Sequence, residues 1–184
     1  MPRSKPTPQD LQAAAGKTLS DLIAPGLKVL FVGINPGLYS GAIGHHFARP
    51  GNRFWPALHL AGITPRRLQP WEEDELLAWG YGISSMVRRA TATAQELTAA
   101  EYRAGAARLE ETVRQSRPRL VCFLGMGAYR AGFARPKAQL GRQAETIAGV
   151  PVWVLPNPSG LNAHFSLDDF ARLLAEVRAA AEQV

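Results

Sequence analysis

Leu27-Lys28-Val29-Leu30-Phe31-Val32, running into Gly33-Ile34-Asn35-Pro36-Gly37, is the stretch on which the fold turns. An apolar run that lacks polar alternation and ends in glycine is the pattern of a strand buried on both faces of a parallel sheet. Leu120 to Leu124 repeats that pattern and also runs into glycine, and Val152 to Leu155 supplies a third strand of the same kind. Tyr81 to Ser84, introduced by Gly80, is a fourth with a thinner apolar signal.

Helices fill the intervals, and their ends are written in cap residues. Leu11 to Ile23 reads as a short helix leading into the turn Ala24-Pro25-Gly26. Asn52 is placed to cap a segment from Arg53 to Ala61 that stops at Gly62. Pro70, followed by Glu72, Glu73, Asp74 and Glu75, opens another that stops at Gly80, with the acidic run placed favourably at a helix N-terminus. Thr98 and Glu101 form a capping box ahead of a face made by Tyr102, Ala106, Leu109 and Val113, which lasts until Pro118. Ser166 with Asp168 and Asp169 begins the final helix, turning Phe170, Leu173, Leu174 and Val177 inward.

Strand and helix in alternation specify a three-layer α/β/α sandwich around a short, mainly parallel sheet of four or five strands. Ligands of such sheets bind outside the carboxyl ends of the strands. Three loops therefore gather on one edge: Gly33 to Gly37, Gly125-Met126-Gly127, and Asn157-Pro158-Ser159-Gly160.

The 184 residues, 46% hydrophobic, suffice for one core, so residues 11–184 are expected to form a single soluble domain behind a basic, disordered tail of residues 1–10 that holds three prolines. No apolar stretch approaches the roughly 20 residues of a membrane span. The first ten residues lack the apolar block of a secretory signal, so no membrane association and a cytoplasmic location are expected. Cys122 is the single cysteine, inside an apolar run, which excludes an intrachain disulfide and a thiolate cluster and reads as a core thiol. A formal charge of +6 favours an anionic partner such as nucleic acid.

Several chemistries lack their residues. Gly16-Lys17-Thr18 resembles the end of a phosphate loop, but Leu11 occupies the place of its first glycine and no strand precedes it. Gly125-Met126-Gly127 is too short for a dinucleotide fingerprint and reads as a tight strand-to-helix turn. His45 and His46 are adjacent, and His59 and His164 lack carboxylate or cysteine partners at ligand spacing, so no metal or other cofactor is expected. No Gly-x-Ser-x-Gly elbow exists for a serine nucleophile.

The Asn-Pro loop differs from these. Proline holds the chain after Asn35, while Gly33 and Gly37 allow close approach of backbone and ligand. Ten residues on, Phe47-Ala48-Arg49-Pro50-Gly51-Asn52-Arg53-Phe54-Trp55 pairs an aromatic suited to stacking on a base with arginines suited to phosphate. Near the other end of the chain stands Val154-Leu155-Pro156-Asn157-Pro158-Ser159-Gly160-Leu161.

Together with Ala24-Pro25-Gly26-Leu27, these motifs closely resemble those of the mismatch-specific uracil-DNA glycosylases and their thymine-DNA glycosylase relatives, over about Leu22 to Val177. The resemblance implies a monofunctional enzyme that flips a nucleotide out of duplex DNA and hydrolyses its N-glycosidic bond, at a cost in lost pairing that is lowest at a mismatch. It implies Asn35 as the catalytic residue that orients water, and a base pocket of Ile34, Gly37, Ser40 and Phe47, in which Phe47 stacks and Ile34 and Phe47 offer main-chain hydrogen bonds. Leu161 would wedge into the vacated stack, Gly160 and Asn162 would read the orphaned guanine, and Asn157 and Ser159 would belong to the same DNA-binding loop.

In the fast uracil-specific members of the superfamily, aspartate takes the place of Asn35, histidine that of Asn157, and a bulky tyrosine that of Gly37. The implied enzyme is slow, depends weakly on pH between about 6 and 9, and tolerates groups at the base C5 position, with uracil opposite guanine as main substrate and thymine or etheno-cytosine as extras. Ser85, Arg88 and the Asn162-Ala163-His164 segment depart from common family residues. A monomer that passes its abasic product to downstream processing enzymes is expected. Two other classes suit parts of the pattern: a nucleoside or nucleotide N-ribohydrolase, and a lesion-binding protein without catalysis.

Overall fold

The computed structural model describes residues 4–184. Five strands form one sheet in the order β2-β1-β3-β5-β4, with β1 at Val29–Gly33, β2 at Tyr81–Ser85, β3 at Leu120–Leu124, β4 at Gly141–Ile147 and β5 at Val150–Leu155. The first four in that order run parallel and β4 is antiparallel to β5. Alternate residues point to opposite faces of a strand, and two apolar layers result. Val29 and Phe31 of β1 join Cys122 of β3 in one core. Leu30 and Val32 join Val121 and Phe123 in the other.

The first core is closed by α3 (Phe54–Leu60) and α6 (Leu167–Glu182), the second by α4 (Ala99–Ser116) and α5 (Met126–Gly132). The three-layer α/β/α sandwich is therefore as the sequence implies. Capping boxes at Thr98/Glu101 and Ser166/Asp169 start α4 and α6, and Asn52 Oδ1 accepts from Phe54 N at 2.9 Å to start α3. Among the described residues no helix is long and apolar enough to cross a membrane.

The N-terminal expectation needs correction. A helix, α1, occupies Pro8–Ala13, so residues 8–10 of the expected tail are helical and the expected helix from Leu11 to Ile23 ends early. Its cause is local: Thr7 and Asp10 form a capping box with proline in the first turn, and Gly16, at φ +80°, turns the chain away. Beyond it the chain is extended, bridging Thr18 to Arg89 and Leu22 to Ile83. Residues 1–3 of that tail lie outside the described residues.

Two further differences bear on the site. Residues Pro70–Trp79 form a 3-10 helix rather than an α-helix. A short helix that the sequence reading lacks, α2 at Leu38–Ile43, follows directly on the first Asn-Pro loop.

Candidate active site

Adjacent parallel strands β1, β3 and β5 end on the same edge, so the 33–37 and 157–162 loops meet there around a cavity of about 540 Å³. Asn35, Phe47, Ser85, Thr91 and Asn157 are among its lining residues. The size suits a nucleobase with part of its sugar.

The first loop is held as an extension of the β1–β2 ladder. Met86 N donates to Gly33 O at 2.9 Å, Val87 N to Ile34 O at 3.0 Å and Thr91 N to Pro36 O at 3.1 Å. The Ile34 carbonyl is thus already engaged. Asn35 Nδ2 donates to Arg89 O at 3.0 Å and to Thr91 Oγ1 at 2.7 Å, and Thr91 Oγ1 in turn donates to Thr93 O at 2.8 Å. A carbonyl oxygen only accepts, so the amide nitrogen must be the atom facing Arg89. Oδ1 is left as the acceptor of a residue that lines the cavity.

Phe47 lies at φ +51°, a left-handed conformation that costs a non-glycine residue about a kcal/mol or more and concentrates at functional sites. Its ring packs 4.3 Å from that of Phe54 at 37°. Gly33 makes room for it: a Cβ there would stand 3.2 Å from Phe47 Cζ. Ser40, buried in α2, accepts from Ala48 N through Oγ at 3.1 Å, tying that helix to the Phe47 segment. Gly37 is the reverse of Gly33, since a Cβ there would meet nothing within 4 Å.

Behind Phe47 lies an arrangement the sequence reading missed. Glu73, only 7% exposed, receives His45 Nδ1 on Oε1 at 3.1 Å, and on Oε2 both His46 Nδ1 at 3.0 Å and His46 N at 2.8 Å. The expectation that Glu72 to Glu75 serve only as helix-end charges is corrected. The 3-10 turn sends Glu73 inward, while Glu72 and Glu75 pair with Arg66 outside. Burial pushes the Glu73 carboxyl up, but hydrogen bonds and charge from His46 and His45 outweigh it and hold the group below its ordinary value. His46 lines the cavity, and its Nε2 is buried without a partner among the described residues. No signal in the sequence connects positions 45–46 with 73. Among the described residues no group of three His, Cys, Asp or Glu side chains is arranged to hold a metal ion, and no carboxylate is among those that line the cavity.

The second loop is built from small turns. Asn157 Oδ1 accepts from Ser159 N at 3.0 Å, Ser159 Oγ from Leu161 N at 3.2 Å, and Asn162 Nδ2 donates back to Asn157 O at 3.1 Å. Leu161 at its tip is 75% exposed, next to a cavity that it helps to line. Arg53, expected to meet phosphate, is instead turned inward: its Nη1 donates to Ser159 O at 3.1 Å and Asn162 O at 2.7 Å. Arg49 remains exposed at the cavity. Arg88 is paired with Asp21 at 2.8 Å.

The mainly parallel sheet thus carries a cavity, a fixed amide and an exposed apolar tip at its carboxyl edge. The chain belongs to the uracil-DNA glycosylase superfamily, whose family model matches residues 20–178. Membership assigns it the activity class of a DNA glycosylase, a hydrolase acting on DNA that contains uracil. The fold is also similar to the solution structure of a candidate uracil-DNA glycosylase from Methanosarcina acetivorans, with a TM-score of 0.58 at 16% identity over 88% of this chain and 98% of that one.

Proposed function

We propose that the protein is a mismatch-directed glycosylase that flips uracil from U·G pairs, accepts thymine or etheno-cytosine as further substrates, and leaves an abasic site for downstream repair enzymes. It acts as a monomer in the cytoplasm. The observation that carries the reading is the fixed amide of Asn35, whose Nδ2 is tied to Arg89 and Thr91 so that Oδ1 is left to hold a water. Water then adds to the sugar C1′ as the C1′–N1 bond breaks, the electron pair leaving with the base and the water proton passing to solvent.

Phe47 stacks on the flipped base, Ile34, Gly37 and Ser40 complete its pocket, and Leu161 with Asn157, Ser159, Gly160 and Asn162 holds the duplex open. Gly37, with open space around it, leaves room for a C5 substituent. With neutral amides in both motifs, the gain comes from catching a poorly paired base more than from acid–base chemistry. The test is a labelled duplex with one U·G pair, treated with protein and then alkali. Strand cleavage that disappears in Asn35→Ala supports the reading, and equal cleavage by both proteins would overturn the role of Asn35. Binding of the duplex without base release would favour a lesion-binding protein.

A further inference from the structure

We infer that Arg53 is the positioning residue of the Leu161 tip, fixing its height above the base pocket; the inference rests on the function proposed above. Leu161 is 75% exposed, so the apolar core does not hold it, and the loop's own turns join only residues 157 to 164. Among the described residues, the hydrogen bonds that tie that loop to the rest of the molecule come from one short segment. Arg53 Nη1 bonds the carbonyls of Ser159 and Asn162, on either side of Leu161, at 3.1 and 2.7 Å. Arg53 N donates to Pro158 O at 2.9 Å. Gly160 rests so close on Gly51 that a Cβ would stand 2.6 Å from Gly51 O.

The same segment continues into Phe54, on which the Phe47 ring packs at 4.3 Å. Tip and pocket are therefore referenced to a single piece of backbone. A side chain that enters the stack and a ring that receives the extruded base must keep a set separation, since a displacement of about 1 Å can cost a hundredfold in rate. A guanidinium suits the task because its planarity fixes the directions of the two Nη1 N–H bonds that meet the two carbonyls, and it loses less freedom on binding than a lysine.

The test is a mutant cycle read as single-turnover base release from the U·G duplex. Arg53→Met and Leu161→Ala are each expected to slow release by roughly tenfold or more, and the double variant to be no slower than Leu161→Ala alone, because an arginine acting through Leu161 has nothing left to position. Arg53→Lys should recover part of the loss. Gly160→Ala displaces the loop from its other side and should likewise lose its effect in the Leu161→Ala background, which keeps the loop's attachment testable if Arg53→Met does not fold. Arg53→Lys then carries the arginine's own test.

Losses that multiply in the double variant, or a full-rate Arg53→Met, overturn the inference. A direct phosphate contact would instead show as multiplying losses with a salt slope reduced by about one. If wild type releases no base, the proposed function fails; if it does and the losses are independent, only the role of Arg53 fails.

Discussion

Asn35 Nδ2 lies 3.0 Å from the carbonyl oxygen of Arg89, a contact that fixes which end of a neutral amide can meet a ligand. Arg89 is held in turn: its guanidinium pairs with Glu101 at 2.5 Å, and that bond with the Thr98 N–H holds the Glu101 carboxyl at about 2. The orientation of Asn35 is thus set from the start of α4.

Asn35→Asp is expected to lower activity at neutral pH, despite placing there the residue that the fast relatives carry. A carboxylate would set an oxygen against Arg89 O with no proton to share, a mismatch of about 1–3 kcal/mol for a part-buried group. Urea unfolding should show that loss, and single-turnover release should fall with it. Thr91→Val, which removes the 2.7 Å acceptor while Arg89 O remains, should slow release by up to about a hundredfold with a smaller loss of stability. A fully active Asn35→Asp protein would show that the amide's two tethers do not set the chemistry.

Glu73 gives a prediction about pH. Its carboxyl is held below the ordinary 4.5 in the folded chain, so the unfolded chain binds more protons between the two values. The stabilisation is therefore complete above about 4.5 and is lost as pH falls through the folded value. Glu73→Gln should be destabilised by about 1–3 kcal/mol at pH 7, and the gap to wild type should close in acid. Urea midpoints measured from pH 7 to pH 3 check this, and a gap that stays constant would mean the His45–Glu73–His46 contacts contribute no charge-dependent stability.

The fold was legible wherever burial dictates residue type. Val29 to Val32 and Leu120 to Leu124 announce central strands because both faces are covered. β4 was not legible, since Gly141–Ile147 is an edge with mainly exposed, polar residues, turned back by positive φ at Ala148 and Gly149. In the site, Asn35, Phe47 and Leu161 were found through motifs. Thr91 and Glu73 reach the site from 56 and 27 residues away from their partners, a separation no local pattern encodes. Arg53 was misread because charge predicts exposure, and only the packed loop shows its donors spent on carbonyls.

Gly33 and Gly37 make opposite predictions for the same substitution. Gly33→Ala would put its Cβ 3.2 Å from Phe47 Cζ, so the ring must shift by a few tenths of an ångström; release should slow and substrate binding weaken. Gly37→Ala meets nothing within 4 Å, so stability should stay within about 0.5 kcal/mol of wild type. Its effect should fall on 5-substituted bases, lowering thymine release more than uracil release. Equal effects on the two bases would place Gly37 away from the C5 edge.

The pH profile of base release separates the neutral-amide mechanism from an overlooked base. No Asp or Glu is among the described residues lining the cavity, and the histidine that lines it is His46. Glu73 and His45 are the charged or titratable groups bonded around it. The profile between about pH 6 and 9 is expected to be shallow, with Asn35→Ala inactive throughout. A steep acid limb would require a carboxylate acting from outside the cavity wall, and the water would then be activated rather than merely held.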